Sequence, residues 1–164
     1  MLNQCEETII AQCTPRGSGA IALLRLSGRD SWQIANSFTQ LACKKQLIEC
    51  QTHTIQYGYV IDSTGKSIDQ VLFLLMRGPR TFTGYDTVEI TSHNNPFIVE
   101  AIINVAIAAG ARMAKEGEFS RQAVFNGKID LLQAEAINEL IHAQKLNEHH
   151  ALRYQVLCLA AYQD

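Results

Sequence analysis

Residues 117–141, GEFSRQAVFNGKIDLLQAEAINELI, constrain the chain more than any other stretch. They read as a short helix, a stop at Asn126-Gly127, a charged pair Lys128/Asp130, and the start of a long helix. Asn-Gly ends a helix because both residue types tolerate the left-handed conformation. Asp130 is a good N-cap, and Gln133 three residues on can complete a capping box, each side chain accepting from the other residue's backbone N–H. Leu131, Ala134, Ile137 and Ile141 then share one helical face. The chain before this run reads as a mixed domain and the chain after it as helix, so the run is a hinge. The expected division is 1–118 for the mixed domain and 119–164 for the hinge with the start of a helical domain.

Ahead of the hinge, Thr8–Thr14 alternates weakly as a strand and 15–19 is a loop. In the strand Ala20–Ser27, alternation puts Ile21, Leu23 and Arg25 on one face and Ala20, Ala22, Leu24 and Leu26 on the other. An arginine among apolar residues is either at a wet end of the strand or paired with an anion. Gly28 ends the strand, and Asp30 or Ser31 caps a helix whose stripe is Ile34, Ala35, Phe38 and Leu41. Thr52–Ile61 and Ser67–Met76 read as a hairpin joined by residues 62–66. VLFLLM at 71–76 is apolar throughout, which predicts a central strand covered on both faces. After a turn at 77–80 and a loop at 81–85 comes a strand, 86–91. In it Val88 and Ile90 oppose Thr87, Glu89 and Thr91. Asn95, Pro96 and Gly110 frame a helix over about 96–109, with Ile98, Ile102, Val105 and Ala109 as its buried face. Residues 111–114 form a short strand.

From Asp130 to Asp164 neither glycine nor proline occurs, so an unbroken helix would run ~50 Å. Leu152, Val156, Leu159 and Ala160 make a second apolar stripe on it. Each large aliphatic left wet forfeits roughly 1.5–3 kcal/mol. The stripe therefore needs a further helix, a second chain, or a fold-back at 147–150. The fold class is α+β, a mixed and mostly antiparallel sheet with packed helices, followed by a long C-terminal helical segment.

Several functions are disfavoured. The net charge of -2 argues against gripping nucleic acid by broad electrostatics alone. Charged residues make up 18% of the chain, below the usual share, which fits a surface partly covered by partners. The polar N-terminus has no signal-peptide pattern, and no apolar run is long enough to span a membrane, so a cytoplasmic protein without membrane attachment is expected. Five cysteines without a CxxC pair read as free thiols, and the histidines lack metal-ligand spacing, so no metal site is expected. Gly65-Lys66-Ser67 imitates the tail of a phosphate-binding loop. The required earlier glycine is Val60, however, and a strand follows instead of a helix.

Three ordered runs carry a resemblance. ETIIAQCTPRGSGAIALLRLSG from Glu7 is similar to DTIVAxATPxGxGxxxIxRxSG. FTGYDTVEITSHNNP from Phe82 is similar to FTGEDxxExxxHGGP. GEFSRQAVFNGKIDLLQAEAI from Gly117 is similar to GEFTxRAFxNGKxDLxQAEA. Together they resemble the N-terminal part of the MnmE (TrmE) tRNA-modification GTPases, over residues 7 to about 145.

The resemblance implies an aminomethyltransferase-like, folate-binding and dimerising domain. Its cofactor would be a tetrahydrofolate derivative, 5-formyl- or 5,10-methylene-, that supplies a one-carbon unit. The full protein, as a homodimer with the flavoprotein MnmG, would modify carbon 5 of the wobble uridine, position 34, of certain tRNAs. GTP with its magnesium and potassium ions would belong to an inserted GTPase domain, which this sequence lacks together with the family's CxGK motif. The family's folate contacts fall on Arg25, Glu89 and Lys128, with no catalytic residue carried over. A pterin edge offers two N–H donors that one carboxylate can accept side by side, the role expected of Glu89. Arg25 and Lys128 would hold carboxylates or carbonyl oxygens, arginine being the better fork.

The sequence departs from the pattern at Tyr85, Asn94, Asn95 and Gln122, and in a GSGAIA loop short of two glycines. These changes are expected to cluster around the pocket and narrow it. A decayed pocket would leave a scaffold with the same fold. A stand-alone one-carbon transferase would need Asp86 or His93 as its acid or base.

Overall fold

The computed structural model describes residues 7–17 and 19–142. Its strands are β1 (Ile9–Gln12), β2 (Ile21–Ser27), β3 (Thr39–Leu41), β4 (Thr54–Ile61), β5 (Ser67–Met76), β6 (Thr87–His93) and β7 (Arg112–Met113). Its helices are α1 (Ser31–Ser37), α2 (Pro96–Ala108), α3 (Glu118–Phe125) and α4 (Leu131–His142). The strands make one sheet in the order β3-β4-β5-β6-β2-β1-β7. All pairings are antiparallel except β1 with β7. The class is α+β, as the strand and helix periodicities predict.

The two faces of this sheet differ. Ala22, Leu24 and Leu26 of β2, Val71, Phe73 and Leu75 of β5, and Val88 and Ile90 of β6 are buried on the inner face. Here α1 and α2 pack over them and complete one core cluster with Trp32, Ala35, Ile102 and Ala106. The outer face carries the alternate residues. In register across it lie Ala11, Arg25, Glu89, Leu74 and Ile55, and beside them Leu23, Thr91, Leu72 and Tyr57. The expectation that residues 71–76 are covered on both faces is therefore corrected. Leu72 is exposed and Leu74 and Met76 are half-buried, because α1 and α2 pack on the opposite face.

Other expectations shift by a residue or a turn. α1 stops at Ser37, and Leu41 belongs to β3, not to the helical stripe. The hydroxyls of Ser37 and Thr39 donate to the carbonyls of Ile34 and Ala35, which frees the chain to enter the sheet. Asp30 holds the N-cap position without a side-chain bond, and Ser31 donates to the Asp86 carbonyl at 2.7 Å instead. α2 is framed as expected, its Asn95 side chain accepting from the Phe97 N–H. Its buried residues are Val99, Ile102, Ile103 and Ala106, so the helix is rotated from the expected face. Ile98, Val105 and Ala109 are partly buried at the edge of the same core, and Glu100 and Asn104 are exposed along a cavity.

The hinge folds as the sequence predicts. Gly127 takes φ 66, whereas Asn126 stays at φ -87, so only the glycine uses the left-handed region. The capping box is complete: Asp130 N–H donates to Gln133 Oε1 and Gln133 N–H to Asp130 Oδ1, both at 2.7 Å. The buried face of α4 is Gln133 and Ala136, however, while Leu131 and Ile141 (72% exposed) are wet. The predicted helix beyond His142 and the stripe from Leu152 to Ala160 lie outside the described residues.

Candidate functional site

Arg25 and Glu89 are placed opposite each other by the β2–β6 register. Their position on the outer face follows from alternation, since Leu24, Leu26, Val88 and Ile90 on either side face the core. Arg25 Nε and Nη2 both reach Glu89 Oε1, each at 2.8 Å. The side chains are 22% and 13% exposed, so the pair is shielded but reachable. Of the two alternatives open for Arg25, the anion partner is the one found. Among the described residues, no hydrogen bond reaches Glu89 Oε2 or Arg25 Nη1. Equal distances from Nε and Nη2 place Oε1 in the fork opposite Nη1, so Glu89 Oε2 is left as an acceptor while Nη1 points to the far side of the guanidinium. Cys13 is a neighbour of the pair; burial pushes its thiol above the ordinary value, and the Arg25 cation pulls the other way.

Two aromatic rings approach the Arg25 guanidinium. Phe82, on the loop after β5, has its ring centroid 5.4 Å from Arg25 Cζ, and Phe119 of α3 has its centroid at 5.3 Å. Neither phenylalanine is among the residues expected at the site, although both lie within the FTG and GEF runs that carry the resemblance.

Lys128 follows the hinge glycine, and its backbone N–H donates to Ala123. Its stem packs against Gly84: a Cβ built there would meet Lys128 Cγ at 3.2 Å and Asn126 Cβ at 2.7 Å. With φ 80 as well, position 84 excludes a side chain twice over. Residues 82–84 therefore approach both side chains, Phe82 at the Arg25 guanidinium and Gly84 at the aliphatic stem of Lys128. Asn126 Nδ2 donates to the Thr83 carbonyl at 2.7 Å and fixes this junction. Beneath it, Ser27 Oγ lies 2.7 Å from Thr83 Oγ1 and donates to Gln122 Oε1 at 3.0 Å.

Of the departures from the family pattern, Asn94 and Asn95 lie away from the pair. Gln122 is a buried link between β2 and α3. Asn95 caps α2. Asn94 accepts from Gln12 Nε2 and donates to the Gly17 carbonyl. It lies five residues beyond Glu89, roughly 17 Å at strand rise. There it lines a cavity of about 470 Å³ with Arg16, Glu100 and Asn104, and none of Arg25, Glu89 or Lys128 lines that cavity. Tyr85 is half-buried in the 81–87 loop, its carbonyl accepting from Thr81 and Thr87.

The acid–base candidates are held apart by β6. Asp86 accepts from Arg77 Nη1 at 2.6 Å and from the Gly78 N–H at 2.9 Å. His93 lies at the other end, its Nδ1 2.8 Å from Asp69 Oδ1. A second ionic knot anchors α3. Arg112 forks onto both oxygens of Glu118 at 2.8 and 3.0 Å, and its Nε reaches Glu7 at 2.7 Å. Those bonds hold the Glu118 carboxyl below its ordinary range against the opposing effect of burial. Among the described residues, no helix is long and apolar enough to cross a membrane.

Comparison with known proteins bears on this arrangement. A family profile described as GTP-binding protein TrmE N-terminus matches residues 8–128. The chain is similar to the tRNA modification GTPase MnmE of Flavobacterium johnsoniae, with 41% identity over 156 residues, 95% of this chain and 33% of that protein. It is 44% identical to the protein of the same name from Bacillus velezensis over 139 residues, 84% of this chain and 30% of that protein. For the Streptococcus sanguinis protein the identity is 42% over 145 residues, 88% of this chain and 31% of that one. The chain spans about a third of the length of the curated relatives it matches.

Proposed function

This chain belongs to the TrmE N-terminal family, and we propose from that membership that it is the folate-holding and dimerising part of a tRNA modification GTPase. Residues 1–118 form the folate domain in this reading, and 119–164 begin a helical domain. The observation that carries it is the Arg25–Glu89 pair, shielded on an open sheet face with Oε2 and Nη1 uncommitted among the described residues. A reduced pterin suits the pair: its adjacent N–H donors would be accepted by the Glu89 carboxylate, which the Arg25 cation holds in place. Lys128 supplies a second cation from the hinge for the carboxylates of the same ligand. When bound, a 5-formyl- or 5,10-methylene-tetrahydrofolate supplies a one-carbon unit. The chain's own residues bind and orient it.

The wider activity belongs to the longer proteins: modification of wobble-uridine carbon 5 at position 34 of tRNA, with MnmG as flavoprotein partner. GTP hydrolysis, with its magnesium and potassium ions, is assigned to their remaining two thirds. The exposed Ile55, Tyr57 and Leu72 on the outer face support a homodimer through this domain, because a contiguous apolar patch beside a charged pair favours burial against a second copy. A cytoplasmic setting accords with tRNA as the substrate.

Titration calorimetry with 5-formyltetrahydrofolate tests the proposal. One-site saturation by the parent chain, abolished in Glu89→Ala, is expected; equal binding by both removes Glu89 from the site. The scaffold reading is favoured by one observation, that Arg25 and Glu89 already satisfy each other in part and line none of the 470 Å³ cavity. No heat with any reduced folate from a dimeric chain would select it.

A further inference from the structure

An arginine on an open sheet face has many rotamers, and a hydrogen-bonded partner on one side does not fix its plane. Arg25 is held by more than Glu89. Its two bonds to Oε1 lie in the guanidinium plane, whereas Phe82 and Phe119 meet the same cation through ring faces at 5.4 and 5.3 Å. The rings arrive from separate segments, and each segment is itself fastened. Thr83, next to Phe82, is bonded to Ser27 and Asn126, and α3 is bonded to Ser27 through Gln122. Phe82 is exposed, so simple burial does not account for its place over the cation.

The geometry points to Phe82 and Phe119 as positioning residues that hold the Arg25 plane with its Nε–Nη2 edge on Glu89 Oε1, so that Oε2 is presented as an acceptor. They thereby set the affinity for a planar heterocycle bearing adjacent N–H donors. This rests on the folate reading of the Arg25–Glu89 pair, and it adds two uncharged residues to that site. Because they act through Arg25, their effect must vanish when Arg25 loses its charge.

A double-mutant cycle measures this directly with 5-formyltetrahydrofolate as the probe. Phe82→Leu and Phe119→Leu keep apolar bulk without the ring, and each is expected to weaken binding by about three- to tenfold, the range of a cation–π contact of this kind. Phe119→Tyr keeps the ring and should bind like the parent. In an Arg25→Gln background the leucine variants should change affinity by less than about twofold, the mark of a fully coupled pair. Parent-like binding by both leucine variants overturns the inference. So does an undiminished loss in the Arg25→Gln background, because the rings would then act on the ligand or the fold.

A ligand-free arm separates this from the folate reading. Hydrogen exchange at Arg25 Nε–H, followed by NMR, should be faster in both leucine variants than in the parent, since the rings restrict its opening. If the parent binds no folate but exchange still accelerates, the folate reading fails and the clamp stands. Equal exchange rates sink the clamp whatever the parent binds.

Discussion

The inner and outer faces of the sheet come from the same strands and have opposite characters. Leu24 adjoins Arg25 and Ile90 adjoins Glu89, yet the first of each pair is sealed in the core and the second meets solvent beside a charged partner. The inner face is aliphatic and aromatic and lies under α1 and α2. The outer face mixes an ion pair with wet apolar side chains, Ile55 at 63% exposure among them. Strand alternation thus lets one set of residues supply stability and the neighbouring set supply recognition. Substitutions one position apart should separate the two.

The largest effect is expected on the inner face. Phe73→Ala removes a fully buried ring from the centre of the core and should cost about 3–5 kcal/mol in urea unfolding. A loss under about 1 kcal/mol would erase the distinction between the faces. Next comes the knot that fastens α3. Glu118→Gln breaks the bidentate bond to Arg112 and should cost about 1.5–3 kcal/mol near neutral pH. Because the folded carboxyl is held below its ordinary range, its contribution is complete above that range and is lost as pH falls through the depressed folded value. The unfolding midpoint of the parent should therefore drop more steeply in acid than that of Glu118→Gln. A parallel pair of pH profiles would show that the bond contributes nothing.

A smaller effect is expected at the hinge. Asp130→Ala removes one half of the capping box and should cost about 1 kcal/mol, seen as faster amide exchange in the first turn of α4. Least of all should change when the outer face is altered. Leu72→Lys and Ile55→Lys should leave stability within about 0.5 kcal/mol. They should also shift the chain from dimer to monomer in sedimentation. Strong destabilisation of the monomer by either lysine would place these residues in a core and abolish the contrast between the two faces.

Much of this arrangement is legible in the sequence, for identifiable reasons. Alternation in 20–27 and 86–91 assigns the faces of Arg25 and Glu89 because their flanking residues, Leu24 and Leu26, Val88 and Ile90, are all aliphatic. The capping box and the Asn95-Pro96 start are legible because they depend on local bonds alone. The faces of α2 and α4 are not. α2 is apolar on most of its circumference, so its rotation is set by the strands beneath it. In α4, Gln133 is buried at the hinge, where its amide completes the cap. At the site, the charges on Arg25 and Glu89 are legible from their place among apolar neighbours. The link from Lys128 to Gly84 and the two rings over Arg25 are long-range contacts that no spacing encodes. The altered residues at 94, 95 and 122 prove to be caps and ties, through bonds that only the folded chain shows.

The most direct measurement pairs affinity with stability in one variant. Glu89→Gln keeps the shape of the side chain and removes its charge. Equilibrium dialysis against 5-formyltetrahydrofolate should show affinity reduced by about thirtyfold or more, a loss of roughly 2 kcal/mol for a charged hydrogen bond, while the urea midpoint stays near that of the parent. Unchanged affinity, or a collapse in stability that accounts for the lost binding, would contradict the assignment of recognition to the outer face.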